Sequence, residues 1–137
     1  GTKGGANGDL YLFISIDNHS IFKRSEENLY YELPVSISNA SLGTTVEVPS
    51  IDGGKSKIKI PSGTQHGKQF RLKGKGMPVL RRNIFGDLYI RIVTQVPTSL
   101  TKRQKEILEE FNSIETNKPD PVIKNFFEKA KKFWKGS

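Results

Sequence analysis

The chain has no cysteine among its 137 residues. That excludes a disulfide framework, a thiolate zinc site and a cysteine nucleophile. It has no apolar run long enough to cross a bilayer. Histidine is scarce: His19 and His66 each fall in a turn, with no carboxylate–histidine cluster nearby, so neither a metal site nor a catalytic triad is expected. The acidic pairs Glu26/Glu27 and Glu109/Glu110 are sequence neighbours, which point apart on a strand and diverge around a helix. Neither is an acid/base couple. Acidic residues are also missing from the whole stretch between Gly53 and Gly86. The apolar fraction is only 34%, while 13 glycines and 7 prolines supply turns, which fits short strands around a thin core.

What is present starts with a repeated phrase. Gly8-Asp9-Leu10-Tyr11-Leu12-Phe13-Ile14 and Gly86-Asp87-Leu88-Tyr89-Ile90-Arg91-Ile92 are each a Gly-Asp turn running into an alternating strand. Such a pair is the same strand in two successive copies of one module. A complete module precedes the second copy and almost nothing precedes the first. The chain is therefore expected to start at the tail end of one unit and to continue through one whole further unit, as part of a longer protein. Three regions follow: residues 1–16, the last strand of a preceding repeat; 17–97, one β domain; and 98–137, a helical tail.

Within the β domain, strands are expected at Leu29–Val35, Thr45–Pro49, Ser56–Ile60, Gln69–Leu72 and from the second Gly-Asp phrase to about Val96. Pro34 places its strand at an edge or a bulge. The segment from Lys23 to Asn28 reads as a charged bend. Ser38–Leu42 forms one helical turn stopped by Gly43. Asp52-Gly53-Gly54 closes a hairpin. This spacing argues for small sheets and against a doubly wound parallel fold. In the tail, Thr101 and Gln104 make a capping box, and Ile107, Leu108, Phe111 and Ile114 recur at helical spacing, so 102–114 is an amphipathic helix. Residues 115–120 are a linker. Phe126, Phe127, Ala130, Phe133 and Trp134 then share a helical face, with lysines mostly opposite. A helix that short needs a partner surface.

Two phosphate-binding readings fail or weaken. Gly53-Gly54-Lys55-Ser56 lacks the glycine a phosphate loop needs five positions earlier, where Pro49 stands, and no helix follows. Lys73-Gly74-Lys75-Gly76 reads as a tight connection before it reads as an anion cradle. The net charge of +8 invites nucleic acid. Yet Lys55, Lys57 and Lys59 alternate with Ser56, Ile58 and Ile60 as a half-buried strand does, and no aromatics interleave the lysines. The sequons at Asn18 and Asn39 are read as chance matches.

The phrases Gly8-Asp9-Leu10-Tyr11, His19-Ser20-Ile21-Phe22-Lys23-Arg24, Leu33-Pro34-Val35-Ser36, Val46-Glu47-Val48-Pro49, Arg71-Leu72-Lys73-Gly74-Lys75-Gly76, Gly86-Asp87-Leu88-Tyr89 and Leu100-Thr101-Lys102-Arg103-Gln104-Lys105 occur in order. With them the chain resembles the carboxy-terminal part of the DnaJ-type J-domain co-chaperones over nearly all of residues 8–134. The resemblance implies a mostly β fold: a small two-sheet, β-sandwich-like module of the DnaJ peptide-binding-domain type, followed by C-terminal amphipathic helices. It implies no enzyme. It implies a cytoplasmic, non-catalytic piece that binds unfolded client polypeptides, forms a homodimer and supports a DnaK-type chaperone through its parent. No His-Pro-Asp triplet is present, and no Cys-x-x-Cys-x-Gly-x-Gly repeat, so the zinc of the parent family belongs to a region absent here and no cofactor is expected. Carried between the repeats, the client groove falls at Tyr31, Leu33, Val48 and Ile90. Dimerisation falls to Leu108, Phe111, Phe126, Phe127, Ala130, Phe133 and Trp134. A basic nucleic-acid-binding domain and a purely structural dimerisation piece are the alternatives.

Overall fold

The structure is a computed structural model that describes residues 21–79 and 81–136. The expected first strand, Leu10–Ile16, and His19 lie outside the described residues. The chain divides after Pro97 into a β unit and a helical unit.

Nine elements are described, six of them strands. β1 (Lys23–Ser25) turns tightly into β2 (Asn28–Ser36); α1 (Ile37–Leu42) follows; β3 (Thr44–Pro49) and β4 (Lys55–Ile60) form a hairpin; β5 (Gln69–Leu72) and β6 (Leu88–Gln95) complete the unit. One sheet has the order β1-β2-β6-β5, and the other is β3-β4 alone. The fold is thus mostly β in two small sheets, as the alternation and the resemblance both implied. Its central pair, β2 with β6, is parallel, with Leu29 opposite Leu88, Tyr31 opposite Ile90 and Leu33 opposite Ile92. A parallel pair needs a long crossover, and everything from α1 to β5 supplies it.

Alternation assigns the faces. Leu29, Tyr31, Val35, Leu88, Ile90 and Ile92 from the first sheet meet Val48, Ile58 and Ile60 from the second in one buried cluster, with Phe22, Ala40 and Met77 closing its ends. Three local readings need correction. The charged bend contains β1, because Glu26 takes a positive φ of 55° and folds Ser25 back onto Asn28. Pro34 lies in an interior strand, not an edge strand. It is tolerated because β1 reaches only as far as Tyr30, leaving that side of Pro34 unpaired. The helical turn begins one residue early, where the Ser36 hydroxyl accepts the Asn39 N–H at 3.1 Å. Gly43, with φ 86°, ends it. A side chain there would also lie 2.9 Å from the Ser62 nitrogen.

In the helical unit, α2 (Lys102–Asn117) opens on the capping box, with Thr101 N–H donating to Gln104 Oε1 at 2.9 Å and Gln104 N–H to Thr101 Oγ1 at 3.1 Å. It runs three residues past the expected end, since nothing in Glu115-Thr116-Asn117 breaks a helix and Pro119 acts only on the residue before it. α3 (Pro121–Gly136) starts with proline at its first position. The Asp120 carboxylate accepts the Val122 N–H at 2.8 Å.

Candidate functional site

The four expected groove residues do come together, but as interior. Tyr31 is buried, Val48 is 1% exposed and Ile90 is 0% exposed; only Leu33 keeps partial exposure at the margin of the core. Tyr31 packs edge-on against Phe22, ring centroids 5.2 Å apart. Its hydroxyl reaches across to the second sheet and donates to the Pro49 carbonyl at 3.4 Å. Burial pushes its pKa up to about 12. Tyr31, Val48 and Ile90 are thus interior side chains that hold the two sheets together. The physical reason is simple. Alternation marks one apolar face per strand, and in a two-sheet module that face is consumed by the core before a groove can form.

The second Gly-Asp phrase has a structural task that spacing alone did not reveal. Gly86 is packed so closely on the β1–β2 turn that a Cβ would stand 2.5 Å from the carbonyl carbon of Glu27. Gly76 is equally tight, its Cβ position 2.6 Å from the Glu27 oxygen. Asp87 then gathers four backbone and side-chain partners. Its Oδ1 accepts the Gly74 N–H at 3.0 Å, its Oδ2 accepts Arg71 Nε and Nη2 at 2.7 Å each, its own N–H donates to Asn28 Oδ1 at 2.8 Å, and its carbonyl accepts the Leu29 N–H at 2.9 Å. The hydrogen bond from Gly74 and the paired Arg71 guanidinium hold its carboxyl below the usual range. Lys73-Gly74-Lys75-Gly76 is thus a connection closed on a carboxylate, and its N–H is already used.

The opposite face of the larger sheet carries polar and aromatic groups. Tyr30 and Tyr89 stack across the central pair, centroids 5.1 Å apart and planes 14° apart. They stand in a cleft of about 540 Å³ with Lys23, Glu32, Gln69 and Arg91. Neither tyrosine was singled out from sequence, because the parallel register that pairs them has no local signature. Arg91 is already bonded to Glu32 at 3.1 Å, and Arg71 to Asp87. Most of the positive charge beside the rings is therefore neutralised.

Among the described residues, most of the exposed large apolar side chains lie in the helical unit. Phe111 is 54% exposed, Phe126 63%, Phe127 51%, Phe133 72% and Trp134 68%. Leu108 is exposed as well, and Ala130 half-buried. Phe126 and Phe127 pack edge-on at 5.0 Å. Successive residues 100° apart place Val122, Ile123, Phe126, Phe127, Ala130, Phe133 and Trp134 on one side of α3. Lys124, Lys131, Lys132 and Lys135 fall on the other, and Lys129 borders the apolar arc beside Val122. Among the described residues, no helix is long and apolar enough to cross a membrane, and no group of His, Asp and Glu could hold a metal ion.

Comparison with known proteins places the chain. The family described as DnaJ C terminal domain matches residues 1–97, and that described as Chaperone protein DnaJ C-terminal region matches residues 103–136. The chain is 64% identical over 98% of its length to "Chaperone protein DnaJ" of Pelagibacter ubique. It is 51% identical over its full length to the protein of that name in Xanthobacter autotrophicus, and 50% identical to that of Azorhizobium caulinodans. It spans 36% of the length of each of these relatives.

Proposed function

We propose a role that proceeds from one fact: the chain belongs to the DnaJ C terminal domain family. Its role is to serve as the client-holding and subunit-pairing part of a cytoplasmic DnaJ-type co-chaperone. Residues 17–97 contact unfolded polypeptide, residues 98–137 pair two chains, and the parent protein works with a DnaK-type chaperone. No catalytic step is assigned to the chain.

The observation that carries the reading is the exposed aromatic face of α3, backed by that of α2. Four rings on α3, each with roughly 100 Å² to bury, amount to on the order of 10 kcal/mol per chain at ~25 cal/mol per Å². Two chains together exceed the association cost of about 4–15 kcal/mol. Client contact falls on the half-buried Leu33 at the rim of the core, since its three companions are interior. A nucleic-acid role gains a stacked tyrosine pair but loses the charge beside it to Glu32 and Asp87.

A light-scattering assay on a chemically unfolded reporter enzyme tests client holding. The intact chain should suppress aggregation and remain effective as salt rises, because apolar contact is not screened as phosphate contact is. Leu33→Asp should weaken suppression while the circular dichroism spectrum stays unchanged. Equal suppression by the variant would remove Leu33 from the reading.

A further inference from the structure

Among the described residues, the two-stranded sheet has a free side. β4 pairs only with β3, and no other backbone partner of Lys55–Ile60 exists among the described residues. Which groups face that side follows from the ladder. Ser50 N–H donates to the Gly54 carbonyl at 2.9 Å, and bonded and non-bonded pairs alternate from there in an antiparallel ladder. Val48/Ser56, Val46/Ile58 and Thr44/Ile60 are therefore the bonded pairs, and Pro49/Lys55, Glu47/Lys57 and Thr45/Lys59 the non-bonded ones. Pro49, which has no N–H, sits correctly at a non-bonded position. The N–H and C=O of Lys55, Lys57 and Lys59 consequently point outward along the open edge.

The side chains of the same three lysines stand exposed on the outer face, while Ile58 and Ile60 face the core. Among the described residues only Glu47 is paired with them, 4.0 Å from Lys55. Lysines on an open edge ordinarily repel further strands. They reverse that effect for one kind of strand. A segment added at this edge places alternate residues directly opposite the lysines, about 5 Å away, and the intervening residues beside the apolar row. We infer that β4 is a docking edge for an extended segment in which acidic residues alternate with apolar ones. Main-chain bonds supply the general attraction, and the three lysines select the acidic register against neutral or basic strands. This surface lies within residues 17–97 but uses neither Leu33 nor the helical unit, so its test is independent of the Leu33 test above.

Binding of short capped peptides to the intact chain, followed by fluorescence anisotropy and amide shifts, decides the matter. An alternating Glu-Val peptide should bind, shifting the amides of Lys55, Lys57 and Lys59. An isomer with its valines and glutamates in separate blocks should bind about tenfold more weakly, and an alternating Lys-Val peptide not at all. Lys57→Glu should reverse the preference between the Glu-Val and Lys-Val peptides. The inference is overturned if the alternating and block isomers bind alike, if the Glu-Val peptide does not bind, or if Lys57→Glu leaves the preference unchanged.

Discussion

Gly86→Ala isolates the packing that the Gly-Asp phrase exists to allow. The new methyl would stand 2.5 Å from the Glu27 carbonyl carbon and 2.7 Å from its Cγ. Carbon atoms rest at ~3.5 Å or more, so the turn and the strand must separate by about 1 Å. Three hydrogen bonds tie the turn and the start of β2 to this strand and its neighbour: Met77 N–H to the Glu27 carbonyl at 2.8 Å, Leu29 N–H to the Asp87 carbonyl at 2.9 Å, and Asp87 N–H to Asn28 Oδ1 at 2.8 Å. Bonds of this length do not survive such an opening. Each buried backbone group left unmade costs about 1–3 kcal/mol, so losing two gives about 2–6 kcal/mol. That is a large share of a typical stability of about 5–15 kcal/mol. Urea unfolding followed by tyrosine signals reads the β unit apart from Trp134 in the tail. Gly54→Ala is the control, because the added Cβ meets only the flexible Asp52 carboxylate at 3.1 Å. Its effect should stay below about 1 kcal/mol. A Gly86→Ala protein as stable as that control would refute the packing argument.

Two further expectations concern pH. Asp87 titrates below the ordinary carboxylate range, so its contribution is complete above about pH 4, its unfolded value, and fades as pH falls through the lower folded value. Asp87→Asn should therefore flatten the acid limb of a stability–pH curve, and an unchanged limb would contradict the Arg71–Gly74 pairing. Tyr31 titrates near 12 against an ordinary 10.0, so the neutral phenol is favoured in the fold. Its contribution is intact below pH 10 and declines as pH rises towards 12. Tyr31→Phe should remove that alkaline decline, measured by the same unfolding series.

Much of the β unit was legible because side-chain alternation and turn residues act locally. Thr45–Pro49, Ser56–Ile60 and Gln69–Leu72 fall where Pro, Gly and Asp punctuate the apolar pattern. β1 was hidden because three exposed residues, two of them charged, carry no alternation, and only the positive φ at Glu26 makes them a strand. The Tyr30–Tyr89 stack was hidden because its two members are 59 positions apart and meet only through a parallel register. The groove was hard to place for the opposite reason. The apolar signal at Tyr31, Val48 and Ile90 was correct, but a core and a groove share that signal, and only layering tells them apart. In the helical unit, no interior competed for Phe126, Phe133 and Trp134, and they remain on the surface.

Sedimentation equilibrium on the intact chain, beside a version ending at Lys118, addresses the subunit-pairing claim directly. The account predicts that the intact chain sediments at twice the mass of one protomer at micromolar concentration and that the shortened chain sediments as a single protomer. An intact chain that is monomeric, or a shortened one still paired, would contradict it.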